Sequence, residues 1–524
     1  MPGRSSTQPG PDAGGARAGE RRNEAQVQFG TAAGRWVLAA TVLGSGMAQL
    51  DATVVNVALP AIGRGLNARV GALQLVVTAY SVTLAALILL AGALGDRLGR
   101  RRVFLVGVVW FAVASLLCAV APSVGFLVAA RTLQGIGGAL LTPGSLAIID
   151  SAFARQDRAR AIGAWSALGG VAAAIGPLVG GYLVQAVSWR AIFVLNLPLG
   201  CVVAWLAVRH VPESRDPTTT GRLDYAGAIL ATIGLAGATY AIVQEPSHGL
   251  SSPAVLAAAI LAIVGLVGFV VVERRIAHPM LPLGIFASRQ FTSANLITFV
   301  VYAALGGVFF LLVVVLQTSL GYSPVAAGAA ALPVTAIMLA LSSRSGALAQ
   351  RIGPRIPLTV GPLLIAVGML LMTRIGPGAG YVDTVLPAVV VFGLGLAGTV
   401  APVTATTLAA ADDRHAGTAS GVNNAIARTA GLLAVALLPP TAGLTGNAFQ
   451  QPHALAAGFH TAMIVTAGLA VAGGLLAFAT ISNDVLEEQP PDRPTCPHRH
   501  CAVAGPAVHP EHHPSALSHA SERS

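Results

Sequence analysis

The sequence GALGDRLGRRR occupies residues 92–102, between two long apolar segments. A second version, GALAQRIGPRI, occupies residues 346–356 and also follows a long apolar segment. A weaker echo lies at nearly the same offset, where the pattern GxGxA occurs at residues 135–139 and again at residues 393–397. Weak internal symmetry of this kind indicates two halves built on one structural pattern.

The composition predicts a membrane protein. Hydrophobic residues make up 54% of the sequence and charged residues only 10%, whereas soluble domains carry roughly 25% charged residues. Fourteen apolar segments are long enough to cross a bilayer, which takes about 20 residues each. These segments lie near residues 36–58, 72–94, 103–120, 124–149, 161–184, 191–208, 225–243, 254–272, 292–316, 325–341, 357–373, 385–408, 418–438 and 459–479.

The basic residues predict the orientation in the membrane. All 31 are arginine, because the chain contains no lysine. Arginines are concentrated in the loops on the side of the N-terminus, and the opposite loops hold only Arg64, Arg69, Arg190 and Arg374. The positive-inside rule therefore predicts that both termini are cytoplasmic. The net charge of +10 follows from these dispersed arginines and indicates no nucleic-acid partner. The bias toward Ala, Gly and Arg is typical of a high-GC bacterial gene, which predicts the bacterial cytoplasmic (inner) membrane.

The repeat predicts the domain organisation, because eight helices separate equivalent points of its two copies. We predict an all-α membrane protein with two six-helix bundles and an inserted two-helix hairpin. The inserted pair has no charge inside its helices, so we expect it to lie outside the bundles and away from any pathway. The predicted parts are a cytoplasmic N-terminal tail (1–35), an N-terminal bundle (36–208), a cytoplasmic linker (209–222), the inserted pair (223–273), a second cytoplasmic linker (274–290), a C-terminal bundle (291–482) and a disordered His-rich cytoplasmic tail (483–524).

Several motifs carry a family resemblance. Residues 92–102 look like the signature loop of the major facilitator superfamily, and residues 131–139 resemble its helix-four motif. Gly163 and the run at residues 176–181 resemble the helix-five motif of its antiporters. Other runs resemble hallmarks of the fourteen-helix drug/proton antiporters, the EmrB/QacA type: residues 50–60, 189–200, 316–324 and 417–424. The resemblance implies a major facilitator fold, whose two halves rock about a site near the midplane.

Asp51 is an acidic residue placed well inside an apolar segment, where an unpaired charge costs several kcal/mol. Burial favours the protonated carboxyl and access to water favours the charged one, so alternating exposure can load and release a proton. The resemblance implies that Arg131, inside helix four, responds to this protonation and helps to couple it to transport. The alternatives are a structural carboxyl and a paired or snorkelling arginine. Arg428 is a second intramembrane cation that no recognised motif explains.

The loop after helix two is predicted to act as a conformational gate. Glycine permits a short turn, Asp96 can sit at a helix N-terminus, and arginine side chains can bridge to neighbouring helices. The alternative is that the loop only supplies positive charge for orientation. The predicted gate residues are Gly92, Asp96, Arg97, Gly99 and Arg100.

The helix-five motif is predicted to lie at the interface between the bundles. Its proline removes a backbone hydrogen bond, and its glycines allow helices to approach closely. Such packing suits an antiporter that must seal against proton leakage, although ordinary small-residue packing is the alternative. The motif consists of Gly163, Gly176, Pro177, Gly180 and Gly181.

The substrate pathway is predicted to be mainly apolar with sparse polar groups. No acidic residue lies in the middle of helices nine to fourteen, so little besides Asp51 can pair with a cation. We therefore hypothesise proton-coupled efflux of a bulky amphipathic drug, antibiotic or secondary metabolite, with neutral or monovalent species preferred over dications. A dedicated exporter of one endogenous metabolite and a proton-coupled uptake symporter are the alternatives. The candidate pathway residues are Tyr80, Gln134, Asn196, Asn295, Tyr302 and Gln317.

Other classes of site find less support in the sequence. Residues 393–398 fit the GxGxxG pattern, but they lie in an apolar helical segment without a preceding strand. A Walker A loop requires the lysine that this chain lacks, so we expect no nucleotide, no cofactor and no enzymatic activity, with the proton gradient as energy source. The tail residues Cys496, His498, His500 and Cys501 are weak candidates for metal binding, and a disordered tail is favoured. We expect a monomer.

Overall fold

The computed structural model describes residues 27–154, 157–215, 224–276, 279–411 and 416–486. Within these ranges the secondary structure is helical, apart from an isolated bridge between Val27 and Phe153. The described residues contain fourteen helices long and apolar enough to cross a membrane. The chain is therefore a multi-pass membrane protein, and the predicted all-α class is confirmed.

The helices coincide closely with the apolar segments of the sequence. Those of the N-terminal bundle are α1 Ala32–Gly65, α2 Val70–Leu98, α3 Arg100–Ala119, α4 Val124–Ala152, α5 Arg158–Ala186 and α6 Ala191–His210, which is interrupted at Leu195. The hairpin consists of α7 Tyr225–His248 and α8 Pro253–Arg275. Those of the C-terminal bundle are α9 Arg289–Thr318, α10 Pro324–Ile352 with a break at Ala331, α11 Arg355–Met372, α12 Leu386–Ala409, α13 Ala416–Thr441 and α14 Pro452–Thr480.

Short polar residues set where several of these helices begin. In each case a side-chain oxygen accepts a hydrogen bond from a backbone N–H of the first turn, which has no partner within the helix. Residues that cap a helix in this way are Thr31, Ser123, Asp224, Ser288 and Ser323. Proline occupies the first turn of α8 and α14, where its missing N–H is no loss. Local sequence thus sets where these helices begin.

The two copies of the repeated loop have the same backbone design. Gly99 separates α2 from α3 with a φ of 114°, and Gly353 separates α10 from α11 with a φ of 83°. Other residues rarely adopt such angles, so both turns require glycine. Each loop also encloses an oxygen from just beyond the last helix of its own bundle. The Arg101 N–H donates to Glu213 Oε1 at 3.1 Å, and the Arg355 N–H donates to Asn483 Oδ1 at 3.3 Å.

The weaker echo between the halves also corresponds to equivalent contacts. Gly135 of α4 packs against Tyr80 and Thr83 of α2. Its counterpart Gly393 of α12 packs against α10 at residues 334 and 337, which occupy the matching turns of that helix. In both halves a side chain at the glycine would push the two helices apart, so this close contact requires glycine. The repeat therefore extends from the sequence to individual helix contacts.

The hairpin rests on both halves through one helix. α7 packs against α2 of the N-terminal bundle and against α13 of the C-terminal bundle, whereas α8 packs mainly on α7. Gly234 and Gly265 allow the two hairpin helices to meet backbone to backbone. Much of α8 is exposed and apolar, including Ile263 and Val267, as expected for a surface that faces lipid.

Candidate functional site

Asp51 lies in a buried polar cluster inside the N-terminal bundle, formed by Asp51, Ser115, Arg131, Gln134 and Asn196. The carboxylate of Asp51 is paired with the Arg131 guanidinium. It also accepts hydrogen bonds from Gln134 Nε2 at 2.8 Å and from Asn196 Nδ2 at 3.1 Å. Asp51 is 2% exposed and Arg131 is 1% exposed. Donors from Arg131, Gln134 and Asn196 thus occupy both oxygens of the Asp51 carboxylate.

Besides Asp51 of α1, groups from α2, α4 and α6 hold Arg131 in place. Its Nε donates to the Val76 carbonyl of α2 at 3.2 Å, and its Nη1 donates to Gln134 Oε1 of α4 at 2.6 Å. The guanidinium carbon lies 4.4 Å from the centre of the Tyr80 ring and 5.9 Å from that of Phe193 in α6. Aromatic faces attract a cation in this arrangement, so the charge is stabilised even though it is out of contact with water.

The local sequence explains why these side chains converge. Arg131 and Gln134 are three residues apart on α4, which places them on one helix face. Asn196 begins the second segment of α6, directly after the interruption at Leu195. Ser115 of α3 accepts from both amides, at 2.8 Å from Gln134 and 3.2 Å from Asn196. The cluster therefore joins α1, α3, α4 and α6.

Two cavities lie between the bundles, and Arg428 of α13 lines both. The larger has a volume of about 430 Å³, and the smaller of about 190 Å³. Residues that line the larger cavity are Gln49, Tyr302, Thr404, Thr407, Leu408, Ser420, Asn423, Asn424, Ala427 and Arg428. Residues that line the smaller are Ala52, Asn56, Val77, Thr78, Ser81, Leu84, Gly306, Phe309, Phe310, Arg428, Gly431, Leu432 and Val435. Among these lining residues Arg428 is charged and the others are polar or apolar.

The predicted pathway residues separate into different environments. Tyr302 lines the larger cavity, and Asn295 lies behind its wall, where Asn295 Oδ1 accepts from Asn423 Nδ2 at 3.2 Å. Gln134 and Asn196 belong to the Asp51 cluster instead, and Tyr80 packs beneath Arg131. Their polarity therefore serves the buried ion pair in this state, and the cavity wall is built from other residues.

The described hydrogen bonds between the bundles lie at one end of the molecule. We call the membrane face at which α1 begins and α14 ends the terminal face, and the other the far face. Near the far face, Gln317 Nε2 of α9 donates to the Val57 carbonyl of α1 at 2.8 Å. There too, Gln74 Nε2 of α2 donates to the Val435 carbonyl of α13 at 2.8 Å, and the Val70 N–H donates to the Gly446 carbonyl at 2.9 Å. The far face is thus closed by contacts that join the two halves.

The larger cavity lies toward the terminal face. Thr404 and Leu408 occupy the last turns of α12, and Ser420 and Asn423 the first turns of α13, and these turns are the ends of both helices nearest that face. The structure is therefore a state in which the bundles meet at the far face and enclose a cavity displaced toward the terminal face.

The helix-five motif takes part in this closure. Gly176 and Gly180 of α5 pack against α1, where Thr53 and Val54 occupy the space that a side chain would need. Gly181 faces the backbone of Pro324 in α10, across the interface between the bundles. The Pro177 carbonyl lies against Gly328 of the same helix. Gly163 has open space around it, so no described close contact requires glycine at that position.

The predicted gate is held within the N-terminal half. Arg100 pairs with Asp96 Oδ1 at 2.8 Å and donates to the Ala147 carbonyl of α4 at 3.3 Å. The expected place of Asp96 at a helix N-terminus is wrong, because it lies in the last turn of α2 and pairs with the first turn of α3. A Cβ added at Gly92 would meet Pro143 of α4 at 3.7 Å, which is ordinary contact. Arg97 makes no side-chain hydrogen bond within the described ranges.

Glu213 is a residue of this loop region that sequence reasoning missed. It accepts from the Arg101 N–H, and its Oε2 lies 3.8 Å from Arg101 Nε and 3.7 Å from Arg102 Nε. A lone acidic residue just after a spanning helix, on a face rich in arginine, was the available signal. The candidate metal-binding residues Cys496, His498, His500 and Cys501 lie outside the described residues. In the described ranges no group of three or more metal-binding side chains occurs.

The comparison with known families identifies the chain. The sequence profile described as Major Facilitator Superfamily matches residues 41–435. The chain belongs to the major facilitator superfamily. This agrees with the paired bundles and the repeated loops.

Named members of the superfamily show clear similarity over most of the chain. The multidrug resistance protein Stp of Mycobacterium tuberculosis is 35% identical over 79% of this chain and 77% of its own length. The puromycin resistance protein pur8 of Streptomyces alboniger is 37% identical over 80% of this chain and 84% of its own length. The tetracenomycin C resistance and export protein of Streptomyces glaucescens is 34% identical over 76% and 74%, respectively.

Solved structures of other transporters share the fold at low sequence identity. A bacterial homologue of the human lysosomal transporter Spinster, in an inward-facing and unoccupied conformation, aligns with a TM-score of 0.63 at 19% identity, covering 86% of this chain and 97% of that chain. A POT peptide transporter in complex with sulfate aligns with a TM-score of 0.65 at 16% identity, covering 88% and 97%. These similarities support the fold alone.

Proposed function

We propose that this protein exports amphipathic drugs, antibiotics or secondary metabolites from a bacterial cell in exchange for protons, as a fourteen-helix antiporter of the EmrB/QacA type. The names of its relatives, which refer to multidrug, puromycin and tetracenomycin C resistance, support this substrate class. The number of spanning helices supports the type. The concentration of arginine at the terminal face supports a cytoplasmic location of both termini.

The single observation that carries the proposal is the position of the larger cavity. It lies toward the terminal face, whereas the hydrogen bonds between the bundles lie at the far face. With the terminal face in the cytoplasm, the bundles are closed outside and the cavity faces the cell interior. An exporter must load its substrate in such a state. We assign the Asp51–Arg131 pair to the proton-released form, because Arg131, Gln134 and Asn196 occupy both oxygens of the carboxylate.

Protonation of Asp51 is the step that would drive the change of state. A proton on this carboxyl removes the counter-charge of Arg131, and breaking a buried pair in this way costs about 3–5 kcal/mol. One charge crossing the membrane supplies about 2.3 kcal/mol for each 100 mV. At 100 mV the membrane potential therefore supplies about half or more of that cost for each proton, and a pH difference across the membrane adds to it. Arg131 bonds to Val76, Gln134 and Asp51, so its release loosens three helices together.

The test is substrate-driven proton movement in liposomes that contain the purified protein. Tetracenomycin C added to liposomes with the cytoplasmic face of the protein outward should enter the lumen and alkalinise it, because protons leave in exchange, and an acidic lumen should drive uptake against a concentration gradient. Asp51→Asn should abolish both signals. Uptake in the same direction as the proton would instead support a symporter.

A dedicated exporter of one compound is the second candidate. Relatives named for a single drug, such as puromycin or tetracenomycin C, favour it. A susceptibility panel of chemically diverse drugs in a pump-deficient host separates the two readings, because a dedicated exporter should protect against one chemical group and a multidrug pump against several.

A further inference from the structure

We propose that the substrate carries an anionic group, and that Arg428 binds this group in the cavities between the bundles. The inference rests on the export function proposed above and narrows its substrate class to amphipathic organic monoanions such as carboxylic acids.

Arg428 is a cation without a counter-charge among the described residues. It lies in the middle of α13, is partly buried and lines both cavities. Its Nε donates to Asn424 Oδ1, one turn earlier on the same helix, at 3.0 Å. No carboxylate of the described ranges lies within 4.0 Å of its guanidinium nitrogens, and no acidic residue lines either cavity. Arg131, the other intramembrane arginine, is by contrast fully neutralised by Asp51.

A guanidinium in this position attracts anions and repels cations. Arginine stays protonated at all relevant pH values, so Arg428 cannot lower the cost of burial by losing its proton. Its planar fork matches the two oxygens of a carboxylate, and charge-assisted hydrogen bonds are stronger than neutral ones. A cationic substrate would instead meet a like charge in a site of low dielectric constant. Asp51 does not offset this, because its oxygens are already occupied by Arg131, Gln134 and Asn196.

The smaller cavity contains a second group that a ligand could bind, independent of Arg428. The Asn56 Oδ1 atom is buried in its wall and has no hydrogen-bond partner in the described part of the chain. Buried polar groups without partners are rare in native structures, and a ligand that donates a hydroxyl or N–H to Asn56 would satisfy this one. Asn423, in the larger cavity, is different because its Nδ2 already donates to Asn295, Thr298 and Thr407.

The rest of the lining fits the body of such a ligand. Phe309, Phe310 and Leu84 present apolar surface next to Arg428 in the smaller cavity. The larger cavity, at about 430 Å³, lies within the roughly 300–1,000 Å³ range of sites for drug-sized molecules. The geometry therefore fits an apolar skeleton with an anionic head near Arg428 and a hydrogen-bond donor toward Asn56.

The first experiment compares fusidic acid with its methyl ester, which share one steroid skeleton and differ by one charge. Binding to the purified full-length protein in detergent is measured by calorimetry. The wild-type protein should bind the acid more tightly than the ester. Arg428→Gln should weaken binding of the acid about tenfold or more, the loss expected for a charge-assisted hydrogen bond, while binding of the ester changes little. Arg428→Lys should retain part of the preference, since it keeps the charge but not the fork.

Arg374→Gln is the matched control, because Arg374 is exposed and lines neither cavity. It removes the same charge and should leave the acid-to-ester ratio at the wild-type value. Thermal melting of each variant establishes that the folded protein is being compared. An unchanged ratio in folded Arg428→Gln protein, or tighter wild-type binding of the ester, would overturn the inference.

The second experiment separates this inference from the proposed function. Proton-coupled transport of the acid, the ester and the cationic dye rhodamine 123 is measured in liposomes that contain the wild-type protein. Acid binding that depends on Arg428, without proton-coupled transport of any compound, would refute the export function and keep the anion site. Proton-coupled transport that favours rhodamine 123 would keep the export function and refute the anion site.

Discussion

Asp51 accepts hydrogen bonds through both carboxylate oxygens, and every donor comes from the same six-helix bundle. Charge, burial and hydrogen bonding therefore reinforce one another at a single residue. Removing the charge of Asp51 should affect two properties at once. These are the coupling of transport to protons and the stability of the fold, which buries the charge of Arg131. A variant series can separate them.

Asp51→Asn should abolish transport against a gradient, because it keeps the shape of the side chain but removes the titratable group. It should also lower the free energy of unfolding by about 3 kcal/mol, since Arg131 loses its buried counter-charge. The double variant Asp51→Asn/Arg131→Gln should recover much of this stability without recovering transport. Thermal melting and gradient-driven uptake in vesicles measure the two effects. Wild-type coupling in Asp51→Asn would mean that the proton travels by another route.

Glu213 should matter more to the gate loop than Asp96 does. The Asp96–Arg100 pair is partly exposed, with side chains 34% and 17% accessible, and such pairs contribute roughly 0–1 kcal/mol. Glu213 accepts a backbone N–H and faces two arginines. Glu213→Ala should therefore lower the melting temperature more than Asp96→Ala. Melting of both variants beside the wild type checks the order, and a larger effect of Asp96→Ala would contradict it.

At the scale of helices, closure of the far face depends on the contact between α5 and α10. Gly181 leaves no room for a side chain against Pro324, whereas Gly163 of the same helix has open space. The two glycines of one motif therefore offer a paired test of the closure.

Gly181→Val should hinder closure of the far face and reduce transport strongly, because its added atoms meet backbone that cannot move aside cheaply. Gly163→Ala, the matched change on α5, should leave transport near the wild-type rate. Labelling of single cysteines placed near the far face reports whether closure fails, and transport rates report the consequence. Equal effects of both changes would point to general damage to α5 instead.

The hairpin allows a similar comparison between exposed and buried positions. Ala236 of α7 is exposed, so Ala236→Ser should leave the substrate profile and coupling intact. Gly234→Leu should separate α7 from α8, because Leu266 already fills that space. Protein yield and melting temperature should fall for the second variant alone. Crosslinking of a substrate analogue to α7 in preference to the cavity helices would contradict a position outside the pathway.

Across the whole molecule, the sequence predicted the spanning helices and the internal repeat well. It predicted the contacts of individual side chains much less well. Apolar length identified all fourteen spans, because crossing a bilayer imposes that length directly. The repeat of the glycine turns likewise predicted equivalent loops, since Gly99 and Gly353 adopt angles that glycine favours. Both features agree with the family that the sequence profile identifies.

The partners of individual side chains were harder to predict. Gln134 and Asn196 were expected in the pathway and instead bind Asp51, while Arg428, left unassigned, lines both cavities. A helix that is apolar on nearly all sides gives little indication of which face turns inward. The rotation of each helix is set by small residues at close contacts, and those contacts become visible only when both helices are in place.

The seating of α7 on one helix from each half has a mechanical consequence. If the halves rock, α2 and α13 change their mutual angle, and a single rigid rod cannot stay in full register with both. α7 must then travel with one half and slide over the other. Its glycine-lined seam with α8 keeps the hairpin together as one body during that sliding. The hairpin would thus slow the conformational change without binding substrate. Its removal should change the turnover rate more than the substrate profile.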